Sequence, residues 1–249
     1  KNTIKQEFDS INSIDKFLEK IENNPSLVDN LSEGRLDVLI NYYSNITRKN
    51  EEKISRLKTY TTTKVNNMSS MFADCDKLNS SDLIPLNTSK VTNMSSMFSG
   101  CGVTSLDLST FDTGKVTNMN YLFSGPILVD FNGDISGWDT SNVERMAGMF
   151  SNSKFNNDSI CDWDASNVTS TKYMFNDSTG YICDGLLDLD FSNVVDASYM
   201  FEHSTLELHP EDGYIHLPFT SASTFEGMFK AFLGSVSGLL FYAPNLTST

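Results

Sequence analysis

The chain has 249 residues, of which 39% are hydrophobic, with 18 Lys and Arg against 32 Asp and Glu and a formal net charge of −14. The hydrophobic fraction is enough to build a core, which excludes wholesale disorder. The acidic balance argues against nucleic acid as a partner and against adsorption to anionic membranes. No apolar run approaches the ~18 residues of a membrane-spanning helix, so no membrane span is predicted.

Residues 1–59 are predicted to form an all-α segment. Apolar side chains recur there at steps of three and four over residues 4–21 and again over 36–46. The first sixty residues hold ten basic and ten acidic side chains, so the whole net charge falls on residues 61–249. This shift in composition indicates a domain boundary near residue 60. We expect the helices to cap the second segment, with partner binding or oligomerisation as the alternative.

Residues 60–249 form an internal repeat marked by a Phe, and successive marker Phe residues are 26, 25, 27, 25, 26 and 28 positions apart. Seven repeats at this spacing are typical of a stacked array, because one short unit cannot bury its own apolar face. The array is predicted to be truncated at its C-terminal end, where residues 240–247 resemble the start of another repeat. Repeats 1 to 7 carry the marker residues Phe72, Phe98, Phe123, Phe150, Phe175, Phe201 and Phe229.

The apolar positions ahead of each marker Phe predict a short helix. Counted from the marker, positions −1, −4 and −7 are almost always apolar, which describes one face of a two-turn helix. Position −9 is a hydroxyl residue in six of seven repeats and is predicted to cap that helix, with Ser141 and Glu144 as a capping box. All ten Met residues lie at −1 or −4. We expect them to fill the core; the alternative is a soft-metal or binding stripe.

A short strand is predicted upstream of each helix. Position −15 is apolar where it can be compared, as at Leu83, Leu186 and Tyr214, and residues 106–108 alternate as a half-buried strand does. Position −12 is large and apolar, and we expect both Trp residues there to be core residues rather than a ligand platform. The sequence therefore predicts an α/β fold: a leucine-rich-repeat-like solenoid of about seven repeats, with short parallel strands and short helices, behind the N-terminal all-α segment.

The repeat resembles a known bacterial family. The stretches LDLSTFDTGKVTNMNYLF at 106–123, VTNMSSMF at 91–98 and WDTSNVERMAGMF at 138–150 are similar to the repeat of BspA-like leucine-rich-repeat surface proteins, which occur in mycoplasmas and as Listeria lipoproteins. The resemblance covers about residues 60–247 and weakens in the last repeat. It implies a cell-surface or secreted protein that acts in adhesion or protein contact, with no catalytic residues to carry over.

The predicted strand and the following turn supply the candidate contact residues. Asp recurs at −11, and stacking would bring these carboxylates within ~5 Å of one another, the spacing of neighbouring strands. Such a column could bind Ca²⁺, but Asp also forms turns by hydrogen-bonding its own backbone, and the turn role is favoured. Neither a metal nor a cofactor is predicted. The candidate binding residues are Ser105, Asp107, Ser109, Asp112, Thr113, Asp139, Asp164 and Asp190.

The cysteines and histidines give no zinc or catalytic pattern. Cys75 and Cys101 share position +3 in successive repeats, which leaves a disulfide and two buried thiols as alternatives. Cys161 and Cys183 share no position, and no C-x-x-C spacing occurs. The histidines belong to no known catalytic motif, so no enzyme is predicted. They are His203, His209 and His216.

The predicted function is non-enzymatic recognition. A surface or secreted solenoid would bind a protein or glycan partner through its extended face. The alternative is a structural or assembly protein, for example a phage or virion component, anchored by the N-terminal helices. The first interpretation predicts a monomer, and the second predicts an oligomer that depends on residues 1–59.

Overall fold

The computed structural model describes residues 65–75, 86–101, 106–125, 133–154, 160–181, 189–207, 215–217, 219–231 and 239–241. Residues 1–59, predicted to be helical, lie outside this part of the chain, as do the predicted strand positions Leu83, Leu186 and Tyr214. In the ranges that are described, no helix has the length and apolar character needed to cross a membrane.

Four three-residue strands form two parallel pairs. Strand β1 (Thr179–Tyr181) pairs with β2 (Thr205–Glu207), and β3 (Ile215–Leu217) pairs with β4 (Leu239–Phe241). Paired residues are 26 positions apart in the first pair and 24 in the second. These offsets equal one repeat, so each pair joins neighbouring turns of the repetitive chain.

A longer parallel ladder runs through position −5 of the seven repeats. The N–H groups at −4, −2, 0 and +2 mostly donate to carbonyls of the next repeat; the marker Phe72, for example, donates to Met97 O at 2.9 Å. This ladder fixes the register between neighbouring repeats, because the same pairs of positions are hydrogen-bonded between each repeat and the next. The bridged residues are, in order, Asn67, Asn93, Asn118, Arg145, Ser170, Asp196 and Thr224.

The two-turn helix predicted ahead of each marker Phe is not formed in the described repeats. The segment is a series of turns, in which every second N–H donates three residues back, as Met71 N does to Met68 O at 3.2 Å. The residues at −2 and +2 have a positive φ in all seven repeats, for example 56° at both Ser70 and Asp74. An α-helix requires negative φ throughout. The apolar side chains therefore reach one core through turn geometry, and the hydroxyl residues at −9 that the structure describes cap no helix.

The strand predicted upstream of each helix is present in the seventh repeat, where β3 covers positions −14 to −12, but it is absent around position −15 in repeats 3 and 4. Leu108 and Ile135 are fully buried, as predicted, but neither lies in a strand. Their carbonyls accept from residues three positions on, Phe111 N at 3.0 Å and Trp138 N at 3.2 Å. They also accept a Trp indole N–H, so these carbonyls serve turns rather than a neighbouring strand.

Aromatic rings stack along the centre of the core. Neighbouring marker Phe rings lie 5.3–5.8 Å apart between centroids and within 13° of parallel. A second row at −12 includes Trp138 and Trp163, 6.2 Å apart. Their indole N–H groups donate to Leu108 O and Ile135 O at 3.3 and 3.2 Å. Both Trp residues are at most 5% exposed, which confirms the predicted core role.

The sulfur-containing side chains are structural. All ten Met residues are at most 3% exposed, which confirms that they fill the core. Cys75 and Cys101 are buried thiols and not a disulfide, which settles the two alternatives. The Cys101 thiol donates to Phe72 O at 2.8 Å. Cys161 is disulfide-bonded.

Candidate functional site

The acidic column at −11 consists of turn-forming side chains. Asp139, Asp164 and Asp190 each accept the backbone N–H of the Ser two positions on at 2.9–3.0 Å. Asp139 and Asp164 also accept the hydroxyl of that Ser at 2.6 Å. Asp112 accepts the N–H of Gly114 at 3.2 Å. These contacts confirm the turn role that the sequence favoured for the column.

The turn hydrogen bonds stabilise the charged form of the carboxylates. The Ser141 hydroxyl and then the Ser141 N–H lower the pKa of Asp139, and the equivalent Ser lowers the pKa of Asp190. Asp107, at −16, accepts the hydroxyl and N–H of Ser109 at 2.5 and 3.0 Å, and its pKa is lowered too. Among the residues described, no three or more His, Cys, Asp or Glu side chains are grouped so that they could hold a metal ion.

The other predicted contact residues are divided between the surface and the interior. Asp107, Ser109 and the four Asp residues at −11 are exposed and stay candidate contacts. Thr113 is only 2% exposed, so its predicted place on the surface is wrong. Its Oγ1 donates to Asp139 O in the next repeat at 3.0 Å, which explains the burial. Ser105 and His209 lie outside the described residues.

A second surface, formed by positions −3, −2, +1 and +2, changes character along the stack. In repeats 1–4 these positions hold small or amide side chains, apart from Asp74 and Tyr121. In repeats 5–7 eight of the twelve residues at these positions are charged or aromatic. Together with Asn176, we call this group the carboxyl-terminal patch. It comprises Lys172, Tyr173, Asn176, Asp177, Tyr199, Glu202, His203, Glu226 and Lys230.

Two partly exposed tyrosines form the aromatic part of the patch. The rings of Tyr173 and Tyr199 stack with centroids 5.1 Å apart and planes at 9°. A Cβ at Gly227 would lie 2.5 Å from Tyr199 Cδ1, so only glycine leaves room for the Tyr199 ring over the last repeat. Lys172 Nζ lies 5.3 and 6.0 Å from the two ring centroids, within the range of a cation–π contact. Within the patch, the ring of repeat 5 thus stacks on the ring of repeat 6, which in turn lies over Gly227 of repeat 7.

Glu202 connects three repeats at position +1. It is 8% exposed, and its Oε1 accepts from Lys230 Nζ at 2.7 Å while Oε2 accepts from Asn176 Nδ2 at 3.2 Å. The hydrogen bond and charge of Glu202 raise the pKa of Lys230. The Tyr199 hydroxyl hydrogen-bonds to Glu226, and this contact, with partial burial and nearby carboxylates, raises the pKa of Tyr199 to about 12. The phenol is therefore neutral and the ammonium charged at pH 7.

Two partly or fully exposed pairs lie at the edge of the patch, a Lys–Asp ion pair and a His–Asp contact that is an ion pair only when the His is protonated. His203 Nδ1 lies 3.5 Å from Asp177 Oδ1, and Lys172 Nζ lies 3.9 Å from Asp196 Oδ2. Exposed pairs of this kind add little to stability. Their effect is to restrict where these side chains lie at the edge of the patch.

Sequence reasoning missed the carboxyl-terminal patch because it looked for what the repeats share. The signal lay in the departures from the shared pattern. Position +1 is Ala or Ser in the first four repeats but Glu202 and Lys230 in the last two. Position −2 carries Tyr121, Tyr173 and Tyr199 among Ser and Gly. Comparing repeats column by column for the odd residue would have found the site.

A protein family model matches more than half of the chain. The model, described as a Mycoplasma protein of unknown function, DUF285, matches residues 39–127 and 104–210. The matched ranges include the first six marker Phe residues and the patch as far as His203, whereas Glu226 and Lys230 follow them. No curated protein and no solved structure matches the chain.

Proposed function

We propose that this chain, which belongs to the DUF285 family of Mycoplasma proteins of unknown function, is a non-enzymatic recognition protein of the cell surface or the secreted space. In this proposal it is a BspA-like, leucine-rich-repeat-type solenoid that binds a protein or glycan partner through an exposed face. The observation that carries the proposal is the carboxyl-terminal patch, where a uniform backbone ladder presents charged and aromatic side chains that the ladder itself does not require.

The backbone contacts support a rigid repetitive scaffold. Parallel bridges join position −5 of all seven repeats, and the marker rings stack at nearly constant distances. Nearest-neighbour stacking of this kind is how repeat proteins build extended binding surfaces. A rigid scaffold also reduces the entropy lost when surface side chains engage a partner.

Two titratable groups of the patch, Tyr199 and Lys230, suit binding better than acid–base chemistry. General acids and bases work best when their pKa lies near the working pH. The contacts around Tyr199 and Lys230 move both pKa values upward, away from neutrality. These groups are therefore fixed hydrogen-bond donors at pH 7.

The disulfide bond of Cys161 supports a location outside the cytoplasm. Disulfides form and persist in oxidising environments and are rare in cytosolic proteins. The bond therefore favours the surface or secreted compartment that the proposal assigns.

The proposal is tested by binding of the full chain to two panels, an oligosaccharide array and a set of purified extracellular-matrix proteins. The test variant is Tyr173→Ser combined with Tyr199→Ser, because Ser96 already occupies the same backbone conformation, with φ 55°. Tyr121→Ser is the matched control, since it makes the same change at the same position outside the patch. We expect the double variant to lose about tenfold or more in affinity and the control to stay within about twofold.

Failure to bind either panel would contradict the recognition function. Size-exclusion chromatography tests the alternative role in assembly. A defined oligomer that dissociates when residues 1–59 are removed would replace recognition with a structural function.

A further inference from the structure

We propose that the carboxyl-terminal patch is a binding site for an uncharged saccharide. The inference rests on the proposed recognition function and names the chemical class of its partner.

The tyrosine pair supplies a fixed apolar surface. Because Tyr173 and Tyr199 stack on each other at 5.1 Å, neither ring has to be ordered when a ligand arrives. Tyr binds at low entropic cost, since it has only two side-chain torsions and combines an apolar ring with a polar hydroxyl. The C–H groups of a sugar ring can pack against the exposed parts of the two rings while the sugar hydroxyls reach the polar groups around them.

The network beside the rings offers both donors and acceptors. Glu202 is held between Asn176 and Lys230, so its carboxylate is already positioned. The Tyr199 hydroxyl is held by Glu226 in the same way. A sugar hydroxyl both donates and accepts, so a mixed and preorganised set of this kind matches it. A ligand that only accepts hydrogen bonds would make no use of the carboxylate oxygens.

The local charge argues against an anionic ligand. With the neighbouring Asp196 included, the patch has four carboxylates and two Lys, a net charge of −2 with His203 neutral. A sulfated or sialylated glycan, like a nucleic acid, would bring negative charge against this surplus, and like charges brought together cost free energy. An uncharged saccharide avoids that repulsion.

The dimensions favour a small ligand over a protein surface. Three stacked repeats at roughly 4.8 Å span about 10 Å from the first to the third. A standard protein interface needs about 800 Å² on each partner. The patch has the length of a short oligosaccharide, and repeats 1–4, with small or amide side chains at these positions apart from Asp74 and Tyr121, do not extend its chemistry.

The test uses the full chain on an array that contains neutral hexose and N-acetylhexosamine oligosaccharides, sulfated and sialylated glycans, and the matrix proteins. Isothermal titration with the strongest neutral oligosaccharide then compares the wild type with the Tyr173→Ser, Tyr199→Ser double variant and with Glu202→Gln. We expect each variant to weaken binding by about tenfold, the range of one lost hot-spot contact. Tyr121→Ser should change the affinity by less than about twofold, and thermal melts of all variants check that they are folded.

The outcomes separate this inference from the function on which it rests. Neutral oligosaccharide binding that depends on the patch supports both. Binding to matrix proteins only, or to anionic glycans only, overturns the saccharide assignment but leaves recognition standing. No binding at all overturns both. An equal loss of affinity in Tyr121→Ser would move the site away from the patch. If the double variant does not fold, Tyr199→Phe gives the same test, because it keeps the ring and removes the hydroxyl. Its expected loss of affinity is several-fold.

Discussion

Two buried threonines show how the same side chain can stabilise or destabilise the repeat. Thr140, at −10, is 2% exposed, and its Oγ1 donates to Asp164 O in the next repeat at 3.0 Å. Thr171 replaces the Met found at −4 in four other repeats and is fully buried. In the described part of the chain, its Oγ1 is the one buried side-chain polar atom without a hydrogen-bond partner. A buried hydroxyl without a hydrogen-bond partner lowers the free energy of unfolding by about 1–3 kcal/mol.

Replacing each threonine by the nearly isosteric Val should therefore have opposite effects. We expect Thr171→Val to raise the free energy of unfolding by about 1 kcal/mol, because the desolvated hydroxyl is removed. Thr140→Val should lower it by about the same amount, because Asp164 O loses its donor. Urea denaturation with an unchanged m value measures both. Destabilisation by Thr171→Val would show that its hydroxyl has a partner, for example an ordered water.

The turn at Asp139 gives a pH-dependent prediction. The equivalent Asn87 accepts the N–H and hydroxyl of Ser89 at 3.1 and 2.6 Å, so an amide oxygen can form the same turn. We expect Asp139→Asn to melt close to the wild type at pH 7 and Asp139→Ala to melt a few degrees lower, since Ala removes the acceptor.

The sign of the pH effect follows from the lowered pKa of Asp139. Its stabilisation is present above the unfolded pKa of 3.8 and is lost as the pH falls through the lower, folded value. The wild type should therefore lose stability relative to Asp139→Asn in thermal melts taken below pH 3.8. A difference between the two proteins that does not change with pH would contradict this assignment.

At the scale of the element, the aromatic stack couples each repeat to its neighbours. Phe150 is fully buried and lies 5.5 Å from Phe175, with the planes at 12°. Stacked aromatic pairs contribute about 0.5–1.5 kcal/mol beyond their buried area. Phe72 and Phe175 are four repeats apart, about 20 Å at the spacing of stacked strands. The energetic coupling between two marker Phe residues should therefore fall to nothing when they are a few repeats apart.

Double-mutant cycles with Phe→Leu substitutions test this coupling. We expect the Phe150 and Phe175 pair to be non-additive by about 1 kcal/mol in the free energy of unfolding. The Phe72 and Phe175 pair should be additive within about 0.5 kcal/mol. Equal coupling in both cycles would mean that the repeats unfold through long-range changes rather than through neighbour contacts.

The repeat pattern made the core predictable but not the backbone that builds it. Burial at Met97, Val91 and Trp138 followed from hydrophobicity and from the repeat alone. The prediction of a helix was wrong, because turns with a left-handed residue at −2 bring the same apolar positions to one side of the chain. Ser70 and Tyr121 both hold that conformation with φ 56°, and neither residue type signals it. The patch escaped prediction for the opposite reason, since it consists of departures from the shared pattern.

At the scale of the whole molecule, the acidic side chains behind the net charge of −14 have two separate roles. All of it lies within residues 61–249. Part of this negative charge lies in the turns at −11, where Asp carboxylates accept hydrogen bonds from their own repeat. Glu202 and Glu226, in contrast, order side chains of the patch. Acidity in this chain is therefore partly structural, and the second group also shapes the proposed binding site.

The cysteines connect the architecture to the compartment. Cys75 and Cys101 are thiols at 2% and 0% exposure, while Cys161 is in a disulfide. Of the four cysteines in the sequence, Cys183, outside the described residues, is left as the intrachain candidate for its partner. We expect an alkylating reagent to label no cysteine in the native protein, because the two thiols are shielded from solvent. Mass spectrometry should find two labels after denaturation without reductant and four after reduction.

This labelling experiment also tests the proposed location. The disulfide should be present in protein isolated from an oxidising compartment and should make the chain more resistant to urea than its reduced form, because it restricts the unfolded ensemble. Four labels in denatured, unreduced protein would remove the argument for a surface or secreted location. Labelling of Cys101 in the native state would show that the hydrogen bond from its thiol to Phe72 O opens readily and that the first repeats separate in solution.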